Sequence, residues 1–279
     1  MNEPGLPSDV GLVKLAHLNQ LTTGHLLQIN LAILRNQILA QPKHDDPRRL
    51  LRHGFRVYSK SEEDGIIQEI FNRIGIINHT FVEIGTEWGI ECNTVKLLVE
   101  GWSGAWVDGD PQSIARMKTH FASFIAADKL KAIRKHVTVE NVNELVPDNL
   151  DILSIDIDYN DYWVWEAVVA RPRVVVIEYN ACYPPPMSIV VPYEPHAVRD
   201  KTNYSGASLE ALVRLGKRKG YTLVGCDISG SNAFFVFGGY AHLFYDPATA
   251  AELYEPQRPY FSLGQYNYPS PRPFIGVPE

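Results

Sequence analysis

The stretch YTLVGCDISGSNAFFVFGG (residues 221–239) decides how the chain folds. Two apolar, β-prone runs, YTLVGCDI and AFFVFGG, are separated by SGSN alone. A connection of four residues cannot carry a parallel crossover, so the two runs must form an antiparallel hairpin. The hairpin ends a series of apolar runs, and the question is what sheet it joins.

Upstream, strand-like and helix-like segments alternate. TFVEIG (80–85) reads as strand and ECNTVKLLVEG (91–101) as helix. GAWVDGD (104–110) reads as strand, and PQSIARMKTHF (111–121) as a helix with Pro111 at its first position and Asp110 as its cap. HVTVEN (136–141) and LDILSIDID (150–158) read as strands, DYWVWEAVVA (161–170) as helix and RVVVIEYN (173–180) as strand. GASLEALVRLGKRKG (206–220) reads as the helix before the hairpin. Before them, YSKSEEDGIIQEIFNRIG (58–75) reads as a helix with Ser61 as N-cap, acids in its first turn and Gly75 as C-cap. Such alternation predicts an α/β fold, a mostly parallel, doubly wound Rossmann-like sheet of seven strands, helices on both faces, with the hairpin at its edge.

Ligands of open α/β sheets bind beyond the carboxyl ends of the strands. After the first strand comes FVEIGTEWGIECN (81–93), with Glu83, Gly85, Thr86 and Gly89 at a strand-to-helix turn. Gly85 lets the chain turn without a Cβ, and Gly89 opens a helix whose free N–H groups attract negative charge. The GxGxxG spacing of a dinucleotide site is absent. The second strand ends at Asp108, followed by Gly109, 23 positions after Gly85, where an acid accepts the hydroxyls of a ribose. After the third strand, Glu140, Asn141 and Asn143 are candidates, and one of them, with Asn141 foremost, is expected to read an adenine edge.

A second group of polar residues ends the next two strands. SIDIDYND (154–161) supplies Asp156, Asp158 and Asp161, and VIEYNA (176–181) supplies Glu178 and Asn180. Two chemistries fit. Asp156, Glu178 and Asn180 offer hard oxygens to Mg²⁺. Alternatively a carboxylate among Asp156, Asp158 and Glu178 takes a proton from a hydroxyl without a metal. Simple helix capping accounts for Asp158, Asn160 or Asp161 taken singly. The long connection 181–206 holds Tyr183, Tyr193, His196 and Tyr204, and reads as a substrate lid in which His196 is a further candidate base.

Outside this core, residues 1–50 read as a helical extension, 51–240 as the principal domain and 241–279 as a helix with a Pro-rich tail. Leu27, Leu31, Leu34 and Ile38 share one helical face within 11–41, which is expected to pack internally or join protomers, with Gly24 as a possible break between two helices. The net charge of −6 argues against a nucleic-acid binder. Three cysteines without CxxC spacing suit a reducing cytoplasm. MNEPGLPSDV lacks the features of a signal peptide, and no apolar run is long enough to span a membrane.

Taken in order, YSKSEEDGIIQEIF, FVEIG, GWSGAWVDGD, SIDIDYNDYWVWEAV and VVVIEYNA resemble the FkbM-like class I methyltransferases, and more distantly the macrocin O-methyltransferase group, over about residues 55–240. The resemblance implies S-adenosyl-L-methionine as cofactor and a hydroxyl of a sugar or small natural product as methyl acceptor. It implies that Glu83, Gly85 and Gly89 face the methionine part, Asp108 the ribose, and the helix start at Ser61 the carboxylate. It also implies a Mg²⁺ site in the macrocin-type members. Glu87 stands where the pattern has a middle glycine. Two other readings compete: an NAD(P)-dependent oxidoreductase, disfavoured by the absent GxGxxG and the terminal hairpin, and a non-catalytic binding or assembly protein on the same fold.

Overall fold

A computed structural model describes residues 9–200, 202–261 and 270–278. The first eight residues and part of the 241–279 tail lie outside that set, so the expectations placed there have no structural counterpart. The chain divides into two compact units, residues 1–45 and 46–279.

The first unit is built on α1 (Asp9–Leu39). It is one helix, not two. Gly24 lies in its interior with no atom within 4 Å of where a Cβ would stand. A lone interior glycine costs a helix roughly 1 kcal/mol, too little to break 31 residues. Along the expected stripe Leu27 is exposed, Leu31 and Leu34 are half-buried and Ile38 is buried. Leu26, Ile29 and Ile33 are also exposed, so apolar side chains are not confined to one face.

The second unit holds α2 (Glu63–Ile74), β1 (Thr80–Ile84), α3 (Val95–Val99), β2 (Ser103–Asp108), α4 (Pro111–His120), α5 (Ala122–Ala126) and β3 (Leu130–Arg134). There follow β4 (Ile152–Ile155), α6 (Asp161–Ala167), β5 (Val174–Glu178), β6 (Ile189–Val190), α7 (Leu209–Lys219), β7 (Tyr221–Cys226), β8 (Asn232–Phe237), α8 (Ala250–Leu253) and β9 (Ile275–Gly276). Seven strands form one sheet in the order β3-β2-β1-β4-β5-β8-β7. β1 to β5 are parallel, while β8 runs antiparallel to both β5 and β7. The hairpin read from residues 221–239 is therefore the sheet's edge, its second strand inserted against β5.

Both faces of the sheet are covered, and the strand pleat sorts side chains between them. Val82, Ile84, Val175 and Ile177 enter one core with Tyr162, Trp165, Leu212 and Leu215 of α6 and α7. Their neighbours Phe81, Val174 and Val176 enter the other core with Ile66, Ile70, Leu98 and Met117 of α2, α3 and α4. α7 is bounded by Ser208, whose side chain accepts from the Ala211 N–H, and by Gly220 in the left-handed region.

Two local expectations are corrected. The third strand is LKAIR, not HVTVEN: Leu130–Arg134 pairs with β2 in register from Gly104↔Leu130 to Asp108↔Arg134. The alternation in HVTVEN imitates a strand, but only Val137 in it is buried and Asn141 folds back on the His136 carbonyl. Ser61 does not cap α2, which begins two residues later at Glu63 without a side-chain cap. The entering chain is organised instead by Asp64, whose Oδ2 accepts from the N–H groups of Val57, Tyr58 and Ser59 at 2.7, 2.7 and 2.9 Å.

The described part of segment 181–206, the expected lid, is held by the C-terminal segment. β6 pairs with β9, the Tyr204 hydroxyl donates to the Pro273 carbonyl at 2.7 Å, and the Phe274 ring meets Tyr183 and Tyr204 at 4.8 and 4.7 Å. Among the described residues no helix is long and apolar enough to cross a membrane.

Candidate active site

A cavity of about 670 Å³ opens beyond the carboxyl ends of β1, β2 and β4. Its floor is the loop after β1. Gly85 has φ +83°, and a Cβ there would stand 1.6 Å from the Asp156 carbonyl oxygen. Only glycine passes this crossing. Gly89 has φ +90° and lies against the Trp106 ring. Glu87 has φ +46°, so the residue in the place of a middle glycine still adopts the left-handed backbone a glycine would favour. Its N–H donates to Asp108 Oδ2 at 2.7 Å, which helps hold that conformation.

Asp108 and Gly109 line the cavity at the end of β2. Asp108 also accepts from the Asp110 N–H at 2.8 Å, and burial raises its pKa. Asp110 caps α4 through the N–H groups of Gln112 and Ser113, which leaves Asp108 facing the cavity. Glu83 is buried at the floor, and its oxygens are spent on the start of α3: Asn93 N–H at 2.8 Å, Thr94 N–H at 2.9 Å and Thr94 Oγ1 at 2.5 Å. Burial pushes its pKa up to about 7 against the pull of these donors. Thr86, 4% exposed, also lines the cavity, and its Oγ1 has no hydrogen-bond partner among the described residues.

Two expected cofactor contacts and one expected metal ligand are placed elsewhere. Ser61 is buried outside the lining, while its neighbour Lys60 lines it. Asn141 also lies outside the lining. Its amide accepts from the Thr138 N–H and donates to the His136 carbonyl, closing a turn where a strand end was expected. Asn180, expected among metal ligands, has its side chain occupied: Nδ2 donates to the carbonyls of Asn203 and Ser205, and Oδ1 accepts from the Cys182 N–H.

The acidic residues after β4 and β5 do converge. Carboxylate oxygens of Asp156, Asp158 and Glu178 all lie within 4.8 Å of one another. Burial raises the Asp156 pKa to about 6, with Lys60 opposing, and raises Glu178 well above the usual carboxylate range, with Asp156 adding to it. Asp158 has φ +66°, an uncommon conformation for a side-chain-bearing residue and one often found at functional sites. Asp161 is fully buried behind them, with Oδ1 accepting from the Ile157 N–H at 2.7 Å and Oδ2 unpartnered among the described residues. Its pKa rises to about 8, chiefly through burial.

Two cations that sequence reading did not single out stand with these acids. Arg199 Nη1 donates to Asp158, and Lys60 is held charged by Asp156, then Glu178 and Asp158. No spacing could have flagged them, because one precedes β1 and the other rides the lid. His196, the expected lid base, is exposed, stacks on His136 at 5.8 Å and lies outside the cavity lining. Arg199, three residues on, is the lid side chain that reaches the acids.

The sheet order, the inserted hairpin and a cavity at the strand ends define the Rossmann-like fold of class I methyltransferases. No family profile and no curated protein matches the chain. Similar solved structures include an O-methyltransferase from Bacillus cereus in complex with SAH, at 16% identity over 37% of this chain and 50% of that one, TM-score 0.32. The pyocyanin biosynthetic protein PhzM is 16% identical over 61% of this chain and 53% of that one, TM-score 0.38. An S-adenosylmethionine-dependent methyltransferase from Clostridium acetobutylicum is 13% identical over 66% of this chain and 93% of that one, TM-score 0.41. The chain thus spans about half the length of the first two.

Proposed function

We propose that the protein is an S-adenosyl-L-methionine-dependent O-methyltransferase acting on a hydroxyl of a sugar or small natural product, in line with the FkbM-like resemblance. The observation that carries the reading is the position of three carboxylates, within 4.8 Å of one another, beside a glycine-floored cavity that has Asp108 on another wall. The cavity suits the cofactor in size and chemistry. Small-molecule sites span about 300–1,000 Å³. Asp108 keeps lone pairs for ribose hydroxyls, and Thr86 Oγ1 and Asn232 Oδ1 are buried, cavity-lining residues' atoms in need of a ligand partner.

The cofactor supplies an electrophilic methyl group. The chain's task is to align the acceptor hydroxyl and take its proton. Asp156 is assigned as proton acceptor, since a carboxyl titrating near 6 is mostly ionised at neutral pH yet basic enough to take the proton. A positioned base adds about 10²–10⁴-fold. Glu178, whose pKa burial and then Asp156 push up, stands beside Asp156 as a second carboxyl for the acceptor hydroxyl, just outside the cavity lining. Asp158, tied to Arg199, fixes the lid side of the acceptor site. Carboxylates are suitable Mg²⁺ donors, but Lys60 and Arg199 already supply positive charge here and Asn180 is turned away. The donor set fits Mg²⁺ poorly, and no step is assigned to it.

The edge hairpin and the absent GxGxxG weigh against the oxidoreductase reading. Calorimetry with S-adenosylhomocysteine beside fluorescence titration with NADH tests the choice: binding of the first alone supports the proposal, and binding of NADH alone overturns it. Transfer of labelled methyl to any hydroxylated acceptor separates an enzyme from a binding protein. For α1 the proposal is self-association through its exposed apolar side chains.

A further inference from the structure

We infer that Lys60 and Asn232 form a subsite for the amino-acid end of the cofactor, Lys60 meeting its carboxylate and the Asn232 side-chain carbonyl its ammonium. The inference rests on the cofactor reading above. Asn232 is the first residue of β8 and stands opposite Glu178 in the ladder. Its side chain is 4% exposed, and Nδ2 donates to Glu63 Oε1 at 3.0 Å. Glu63 is itself fixed at the start of α2, where its other oxygen accepts from the Ser61 N–H at 2.7 Å. This contact decides which way the amide faces. Asn232 Oδ1 is left as a buried acceptor with no partner among the described residues, on a residue that lines the cavity.

Buried acceptors without partners are rare, and a ligand donor is one way to satisfy them. Lys60 lines the same cavity and, among the described residues, makes neither a hydrogen bond nor an ion pair within 4.0 Å. Asp156, Glu178 and Asp158 keep it charged from farther away. A half-buried ammonium and a buried carbonyl in one cavity match a group that carries both a carboxylate and an ammonium. Asn232 opens β8 opposite the end of β5, and the acids nearest in charge to Lys60 are those after β4 and β5, whereas the proposed ribose acceptor Asp108 ends β2 on the other side of β1. A nucleoside held at Asp108 therefore extends its amino-acid arm across β1 toward Lys60 and Asn232.

The test compares S-adenosylhomocysteine with 5′-methylthioadenosine, which keeps the nucleoside and thioether but lacks the amino-acid arm. Both are titrated calorimetrically into wild type, Lys60→Met and Asn232→Leu. The expected result is a loss of about tenfold or more in affinity for S-adenosylhomocysteine in each variant, with 5′-methylthioadenosine unchanged. Lys60→Arg should retain most of the affinity. Equal losses for both ligands, or no loss for either, overturn the subsite. Lys60 is partly exposed, so its variants carry the test even if Asn232→Leu fails to fold. Wild-type protein that binds neither ligand overturns the cofactor reading itself, together with this one.

Discussion

Arg199, on the lid between β5 and α7, donates through Nη1 to Asp158, whose backbone is held at φ +66° just after β4. The pair ties a segment with few sheet contacts of its own to the strand-end acids. Removing the guanidinium should free the lid. In Arg199→Ala, amide exchange across residues 194–200 should rise by about tenfold or more, the effect expected when one charged hydrogen bond is lost. Unchanged exchange there would mean that the segment's other contacts, such as Asn160 Nδ2 donating to the Glu194 carbonyl and Trp163 Nε1 to the Val191 carbonyl, hold it without Arg199.

Asp156→Asn should abolish the proton acceptor while leaving its outline. Turnover should fall by about 10²-fold or more, with affinity for S-adenosylhomocysteine within about threefold of wild type. The pH profile gives a second readout. A base must be ionised to work, so wild-type kcat should rise with pH through about 6 and fall away below it. Chelator should leave both measurements unchanged. Restoration of chelated enzyme by Mg²⁺ would replace the assigned base with a metal.

Asp161 offers a test on stability. Its folded pKa is raised to about 8, so the folded state favours the protonated acid. That contribution is fully present below the unfolded carboxylate pKa and is lost as pH rises through about 8. Asp161→Asn resembles the neutral acid and cannot ionise. In thermal melts it should gain on wild type at pH 9 relative to pH 6, and an equal difference at both pH values would contradict the assignment.

The apolar surface of α1 motivates a measurement of mass. Leu26, Leu27, Ile29 and Ile33 are each more than 40% exposed, and apolar exposure clustered in this way marks an interaction surface. Deleting residues 11–41 should lower the mass found by light scattering. A full-length protein that is already monomeric removes the proposal.

Much of the fold could be read from local pattern. Continuous apolar runs such as VVVI mark strands buried on both faces, and the short turn at 227–231 forces the hairpin whatever the rest of the chain does. The third strand was misplaced because LKAIR alternates weakly while HVTVEN alternates well, and pairing with β2 outweighed local preference. In the site, the legible residues were those that end strands: Asp108, Asp156, Asp158 and Glu178. Lys60, Arg199 and Asn232 come from a pre-strand turn, the lid and the edge hairpin, and only the fold brings them to one cavity. Asn141, Asn180 and His196 carry suitable chemistry by residue type alone, and backbone contacts or exposure divert them.

In the proposed reading this cavity holds the cofactor with its ribose on Asp108. Calorimetric titration of S-adenosylhomocysteine into wild type and Asp108→Ala tests it most directly, with folding of the variant checked by circular dichroism. The account predicts binding to wild type and a loss of about 1.5–3 kcal/mol in the variant, the scale of hydrogen bonds to a charged group. Wild-type affinity in the folded variant would contradict it.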